Sequence, residues 1–286
     1  MPRLPEIEEK VQNYGMKSII IVTGASSGMG REFALQLAKT RKTQELWLIA
    51  RRTDKLEDLS REIARIPGAP DSRILPMDLS ADSGLAAFNA ALAAEAAAAG
   101  PAGGLFVDTL VNNAGFGTYG TFADTDLGRQ LEMVKVNVYA LTALCHDALP
   151  YLGKGSRVIN VASLAAFAPL GNFAVYGATK AYALSFSLAF AAEVADRGIL
   201  VSAVCPGPVD TEFANVASNG ARTRVVDGKD PVAVVAHSLR AAERGKPVAV
   251  MAPKWKFKAF MSRFIGRYFF ARHTYLHEKR PSAPVR

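Results

Sequence analysis

The chain reads as an α/β protein: a doubly wound parallel sheet in a single domain, followed by a basic amphipathic C-terminal extension. Three observations predict this. Seven short β-like runs alternate with helical stretches, the pattern of βαβ units. An apolar run near the N-terminus turns sharply on glycine and passes straight into a helical pattern. At 286 residues, with 50% of them apolar, the chain can bury the core such a sheet needs. The expected strands are Ser18–Val22, Glu45–Ile49, Arg73–Met77, Thr109–Asn112, Arg157–Val161, Leu200–Val204 and Val248–Met251. The expected organisation is an N-terminal extension over 1–15, the α/β domain over 16–252 and the C-terminal extension over 253–286.

The first element carries the clearest local signal. In KSIIIVTGASSGMGREFALQLAKT (17–40), Ile19–Val22 form a buried strand and Thr23-Gly24 begin a turn. Phe33 and Leu37 then set a helical period. Gly24, Gly28 and Gly30 stand where side chains would block a tight turn, close approach of backbone to phosphate, or helix–strand packing. A helix starting there offers free N–H groups and the positive end of its dipole to an anion. The spacing is Gly-x-x-x-Gly-x-Gly rather than the commoner Gly-x-Gly-x-x-Gly. Farther along, the Ala-rich stretch 84–104 predicts a crossover helix closed by Gly-Pro and Gly-Gly. The long uncharged stretch 160–179 contains Ser163, Pro169 and Gly171, which fits a strand and loop better than a membrane span. Cys145 and Cys205 are too few for a disulfide framework and read as reduced core residues. The N-terminus has acids and no apolar h-region, unlike a signal peptide, which implies a cytoplasmic location.

Tyr176 and Lys180 lie one helical turn apart and so share a helix face. An ammonium beside a phenol favours the phenolate, which predicts that Lys180 lowers the Tyr176 pKa toward working pH. Such a phenol can give a proton to a carbonyl oxygen or take one from an alcohol. Ser163, at the end of a strand-like run, is placed to hold that same oxygen. Alone, Tyr-x-x-x-Lys is ordinary; beside a phosphate-cradling loop it gains meaning.

Together, TGASSGMG (23–30), NNAG (112–115), Asn137, Ser163, YGATK (176–180) and PGPVDT (206–211) resemble the short-chain dehydrogenase/reductase family in its single-domain branch. The resemblance runs from about residue 17 to 252. It implies a Rossmann fold, a nicotinamide cofactor and hydride transfer at a carbon bearing oxygen. It also implies that Ser163, Tyr176 and Lys180 are catalytic, that Lys180 meets the nicotinamide ribose, and that Asn137 positions a water for proton relay. By the same carry-over the cofactor would lie on Gly24, Ser26, Ser27, Gly28, Met29 and Gly30, on Asp78 and Leu79, and on Asn112, Ala114 and Gly115. Its nicotinamide end would meet Tyr176, Lys180, Pro206, Gly207, Val209 and Thr211. Where NAD enzymes of this fold place an acid, this chain has Ala50, then Arg51 and Arg52, which favours NADP(H) through forked contacts to a 2′-phosphate.

The segments expected around the substrate are small and apolar, with Phe116, Tyr119, Phe167, Leu170, Phe173 and Phe213. They suggest a hydrophobic molecule; with a basic C-terminal tail able to favour a carboxylated side chain, they make a hydroxysteroid such as a bile acid the preferred class. A 3-oxoacyl thioester is the enzyme alternative, and a catalytically silent cofactor-binding regulator is the alternative of another kind. His273 and His277 lie four apart without a third ligand, so no metal is expected. From Lys254 to Arg286 nine Lys/Arg stand against one acid, Glu278, so the chain's net charge of +8 resides there. Phe257, Phe260, Met261, Phe264, Ile265, Tyr268 and Phe269 recur at helical spacing and read as a basic amphipathic helix. The plainest expectation is that its apolar face docks on the core. Walling the substrate pocket while attracting an anionic substrate, and resting on a membrane surface, are further readings, the latter not favoured. No nucleic-acid fold accompanies the basic patch, so no nucleic-acid partner is expected. The resemblance implies a homodimer or homotetramer, paired through helices near 129–150 and 176–195.

Overall fold

A computed structural model describes residues 16–99, 104–223, 225 and 227–283 of the chain. The expected extension 1–15 lies outside these residues. Seven strands, β1 (Lys17–Thr23), β2 (Glu45–Ala50), β3 (Asp71–Pro76), β4 (Leu105–Asn112), β5 (Arg157–Val161), β6 (Leu200–Val204) and β7 (Val248–Ala249), form one sheet. Their order is β3-β2-β1-β4-β5-β6-β7, and every adjacent pair is parallel. β1 supplies the reason for two layers of helices. Its side chains alternate, as any strand's do. Ile20 and Val22 join the core with Phe33 and Leu37, whereas Ile19 and Ile21 join Phe88, Leu144 and Phe190. Both faces of the sheet are therefore apolar and both must be covered.

Helices α1 (Gly28–Thr40), α2 (Thr53–Ile63) and α8 (Pro231–Glu243) supply buried side chains to the first face. Helices α3 (Asp82–Ala98), α5 (Leu141–Ala148) and α6 (Ala174–Glu193) supply the second. The Ala-rich crossover is α3, and Leu85, Phe88 and Leu92 form its buried stripe. Between α4 (Leu127–Val134) and α5 the chain forms one π-helical segment, Lys135–Ala140, which holds Asn137. Three strands differ from expectation by two residues or more, β3 by starting at Asp71 rather than Arg73. β4 begins four residues earlier, because Asp108, which interrupts its apolar run, sits on a register shift and faces Arg157 at 3.4 Å. β7 has two residues rather than four. Cys145 and Cys205 are free and buried, as expected.

The chain leaves β1 for β2 and β3 on one side, then returns to place β4 on the other side of β1. At such a reversal the loops beyond the carboxyl ends of the strands diverge and leave a crevice, the usual ligand position in this kind of sheet. The C-terminal extension is two short helices, α9 (Pro253–Met261) and α10 (Arg267–His277), with a short α7 (Phe213–Ala217) lying earlier in the chain. The single helix expected there is broken at 262–266, and its apolar face does not dock on the core. Phe264 is 68% exposed, Tyr268 82% and Phe269 69%. Among the described residues no helix is long and apolar enough to cross a membrane.

Candidate active site

The crevice is a cleft of about 990 Å³ running from the glycine loop to the C-terminal helices. The glycine loop forms its floor at one end. Gly24 and Gly28 have φ of +65° and +54°, conformations a side chain would strain. At Gly30 an added Cβ would lie 2.1 Å from the Gly24 carbonyl oxygen, so only glycine lets α1 begin here. Ser26, Ser27, Gly28 and Met29 line the cleft, whereas Gly30 packs behind it. Beyond β2, Arg51 and Arg52 line the same end. The Arg52 guanidinium donates to Ser26 Oγ at 3.2 Å and pairs with Glu212, also at 3.2 Å. Arg51 pairs with Glu132 at 3.3 Å. Asp78 and Leu79 complete this end. Burial pushes the Asp78 carboxyl upward, but hydrogen bonds from the Ser80 hydroxyl and N–H, with the charge of Arg51, hold it below the usual carboxylate range.

A turn whose glycines admit close approach, a helix amino end and two guanidiniums make a donor set suited to the diphosphate and adenosine end of a dinucleotide. Ala114, Gly115, Pro206, Gly207, Val209 and Thr211 continue the lining toward the middle. Thr211 lies against the loop: an added Cβ on Gly28 would come within 3.3 Å of its methyl.

Asn112 corrects the sequence expectation. It is the last residue of β4, and its side chain turns beneath the sheet. There it is buried and donates to Asn160 Oδ1 at 2.9 Å and Cys145 Sγ at 3.1 Å. The neighbouring Asn113 lines the cleft instead, and its amide donates to the carbonyls of Thr23 (3.1 Å) and Gly24 (3.3 Å). Strand alternation, applied to the two asparagines of NNAG, was the signal that separates them.

Tyr176, Ser163 and Lys180 converge on the middle of the cleft. β5 and the turn after it present Ser163, which caps a 3-10 turn by accepting from Ala165 N at 3.1 Å. The first turns of α6 present Tyr176 and Lys180. Phe173 stacks on the Tyr176 ring at 4.1 Å, and Phe213 tilts against it at 5.4 Å. Burial among these rings pushes the phenol well above the usual tyrosine range. The Ser163 hydrogen bond and the charge of Arg280 work against that rise.

Lys180 does not act on the phenol as expected. Its ammonium stands over the Tyr176 ring, 5.8 Å from the centroid, and donates to the Val161 carbonyl at 2.7 Å. Burial lowers its own pKa to about 8. Asn137 is also committed elsewhere. Its amide donates to Phe116 O and Thr179 Oγ1, both at 3.0 Å, and its Oδ1 accepts from Phe116 N at 3.2 Å. It anchors the loop after β4 to the π-helical turn, and its Oδ1 would lie 2.6 Å from a Cβ added at Gly115.

The far end is apolar. Phe116, Tyr119, Phe167, Leu170, Phe173 and Phe213 all line it, as their sequence positions suggested. The C-terminal helices close this end with Trp255, Met261, Ile265 and Phe270. Arg280, one of the nine basic residues of the extension, enters from the same segment.

A family model described as short chain dehydrogenase matches residues 18–222. The probable oxidoreductase EphD of Mycobacterium tuberculosis is 29% identical over 262 residues, covering 85% of this chain. The chain spans only 42% of that protein's length. Sulfoacetaldehyde reductase of Chromohalobacter salexigens is 33% identical over 210 residues, covering 72% of this chain and 78% of the relative. Among solved structures, a short-chain dehydrogenase from Sphingobium yanoikuyae in complex with NADPH is 25% identical with a TM-score of 0.71. That match covers 86% of this chain and 94% of the other.

Proposed function

The chain is a member of the short-chain dehydrogenase/reductase family, and from that premise we propose that it is a nicotinamide-dependent oxidoreductase that interconverts a secondary alcohol and a ketone on an apolar substrate with NADP(H). The observation that supports this best is the meeting of Ser163, Tyr176 and Lys180 in one cleft with the glycine loop. The bound cofactor supplies or accepts the hydride. Tyr176 gives a proton to the substrate oxygen in reduction and takes it back in oxidation. Ser163, within hydrogen-bond reach of the phenol, holds that oxygen in line with it. Lys180, its ammonium on Val161 O and facing the same cleft, is the cation the family resemblance assigns to the nicotinamide ribose. The choice of NADP(H) rests on Arg51, Arg52 and Ser26, whose donors suit a 2′-phosphate.

Apolar walls support a hydroxysteroid such as a bile acid as substrate. A 3-oxoacyl substrate is the second reading. It is favoured by the nearness of the Arg280 cation to Tyr176, which suits a polar acyl group beside the reacting carbon. Assembly as a homodimer or homotetramer belongs to the same proposal: Leu131, Tyr139, Tyr182 and Leu188 leave apolar surface on the two long helical stretches. A cytoplasmic location is also part of it.

The test mixes the protein and NADPH with oxo-bile acids and 3-oxoacyl thioesters and follows the absorbance of the reduced cofactor. Turnover of the bile acids supports the first reading, and turnover of the thioesters alone moves the assignment to the second. NADPH binding with no turnover on either would favour a silent regulator.

A further inference from the structure

The C-terminal segment crosses the mouth of the substrate end as a strap, fixed at both sides. On one side Asn172, at φ +58°, donates its amide to the carbonyls of Thr274 (3.3 Å), Tyr275 (3.0 Å) and Glu278 (3.2 Å). Next to it Gly171 N donates to Thr274 Oγ1 at 2.8 Å, and a Cβ at Gly171 would meet Tyr275 Cβ at 2.4 Å. On the other side Asn219, at φ +49°, donates to Ala283 O at 3.2 Å, while Ala283 N donates to Ser218 O at 2.9 Å. Both asparagines adopt the left-handed conformation, which this residue type tolerates better than most. Each uses its amide to grip the strap.

Between the two grips Lys279 turns outward and Arg280 turns in. The Arg280 side chain is 18% exposed. Its guanidinium lies 5.0 Å from the Phe173 ring centroid, and Phe173 stacks on Tyr176. Its protein contacts are long: Gly171 O at 3.4 Å and the half-exposed Glu278 at 3.2 Å. A second guanidinium, Arg222, lies 5.4 Å from the Tyr119 ring, which packs edge-on against Phe173 at 4.8 Å. Arg222 also donates to the strap at Lys279 O, 3.2 Å. Two like charges thus flank one pair of rings, close enough to repel each other. Burying a cation and setting another beside it costs free energy that a leucine in place of Arg280 would avoid. An anion between or beside them would reverse the sign of that interaction. Arg51 and Arg52, proposed above for the 2′-phosphate, stand at the other end of the cleft beside Ser26 and Asp78.

We propose that Arg280, backed by Arg222, forms an anion-binding subsite that takes a carboxylate or sulfonate carried by the substrate close to the carbonyl carbon facing Tyr176. This rests on the oxidoreductase reading for its placement but not for its test. Guanidinium donors in a planar fork match the two oxygens of a carboxylate.

Calorimetric titration of the protein–NADP⁺ complex with decanoate and with decanol measures the subsite without turnover. The wild type should bind decanoate roughly 10- to 100-fold more tightly than decanol, the factor expected of charge-assisted hydrogen bonds in a partly buried site. Arg280→Gln should erase that preference, Arg280→Lys should keep part of it, and Arg222→Gln should reduce it. NADP⁺ affinity and the melting temperature of each variant report intact folding. No preference in the wild type, or equal loss of both ligands in Arg280→Gln, would overturn the subsite and leave Arg280 as a fastener of the strap. The second arm compares kcat/KM for a medium-chain 3-oxo carboxylate with that for its methyl ester. Decanoate preference without turnover of either would leave the subsite standing and count against a 3-oxoacyl substrate. Turnover of both with no charge preference would do the reverse.

Discussion

Replacing Lys180 with methionine should make the cofactor-free protein more stable near neutral pH. The ammonium is 6% exposed, and burial brings its pKa from the ordinary 10.5 to about 8. A depressed lysine pKa means that the folded state holds the proton less tightly than the unfolded chain does. Below about pH 8 both states are charged and the folded state carries the whole penalty. Between about 8 and 10.5 the folded state sheds the proton first, so the penalty fades as pH rises. A fall of roughly 2.5 pH units at ~1.36 kcal/mol each corresponds to about 3 kcal/mol. The lost hydrogen bond to Val161 O offsets about 1 kcal/mol. Lys180→Met should therefore gain about 2 kcal/mol at pH 7, with methionine close to lysine in length and free of charge. That advantage should vanish by about pH 10.5. Urea unfolding at pH 7, 8.5 and 10 gives both numbers. A variant less stable than wild type at pH 7, or a difference that does not change with pH, would refute the reasoning. Turnover should fall in the same variant, so stability and activity should move in opposite directions.

Three other perturbations test other parts of the site. Tyr176→Phe should lower turnover by roughly 10²- to 10⁴-fold, the usual weight of general acid–base catalysis, while NADPH affinity by fluorescence titration stays near wild type. Full activity in that variant would remove Tyr176 from the chemistry. Changing Arg51 and Arg52 together to alanine should weaken NADPH roughly tenfold or more and NADH much less; parallel losses would mean the arginines do not read the 2′-phosphate. Asn172→Gly keeps the left-handed backbone and deletes the amide that holds three strap carbonyls. Hydrogen exchange at 274–280 should quicken accordingly, and unchanged protection there would show that the amide does not hold the strap.

The sheet and its helices were legible because their signals are local or periodic. Ile19–Val22 and Leu46–Ile49 are continuous apolar runs, and Val158–Val161 is interrupted only by Asn160; parallel strands covered on both faces need such runs. The glycine loop was legible for the same reason: three glycines in seven residues state a backbone requirement outright. What depends on side-chain direction was harder to see. Asn112 and Asn113 are identical in type and adjacent, yet one braces the underside of the sheet and the other borders the cleft. The relation of Lys180 to Tyr176 also escaped spacing. Four residues along a helix fixes a shared face but not the acceptor, and Val161 O takes the ammonium. In the extension, aromatic periodicity suggested one docked helix. The chain instead breaks between Met261 and Arg267, and its attachment comes from backbone carbonyls held by Asn172 and Asn219. No hydrophobic pattern encodes bonds of that kind.

The strap also joins parts of the site that the sheet leaves separate. Gly171 and Asn172 follow β5 and Ser163, whereas Ser218, Asn219 and Arg222 follow β6 and Thr211. Each loop begins at the carboxyl end of its strand, and nothing in the sheet fixes the distance between their tips. The segment 274–283 is bonded to both, so displacement of one loop pulls on the other through a short, hydrogen-bonded span. Phe173 and Phe213, the two rings that bury the Tyr176 phenol, lie on these same loops. Opening of the strap would therefore loosen the apolar packing that holds the phenol's proton on, as well as withdraw Arg280. Burial raises the Tyr176 proton affinity more than any neighbouring charge does, so the packing these loops supply weighs directly on it.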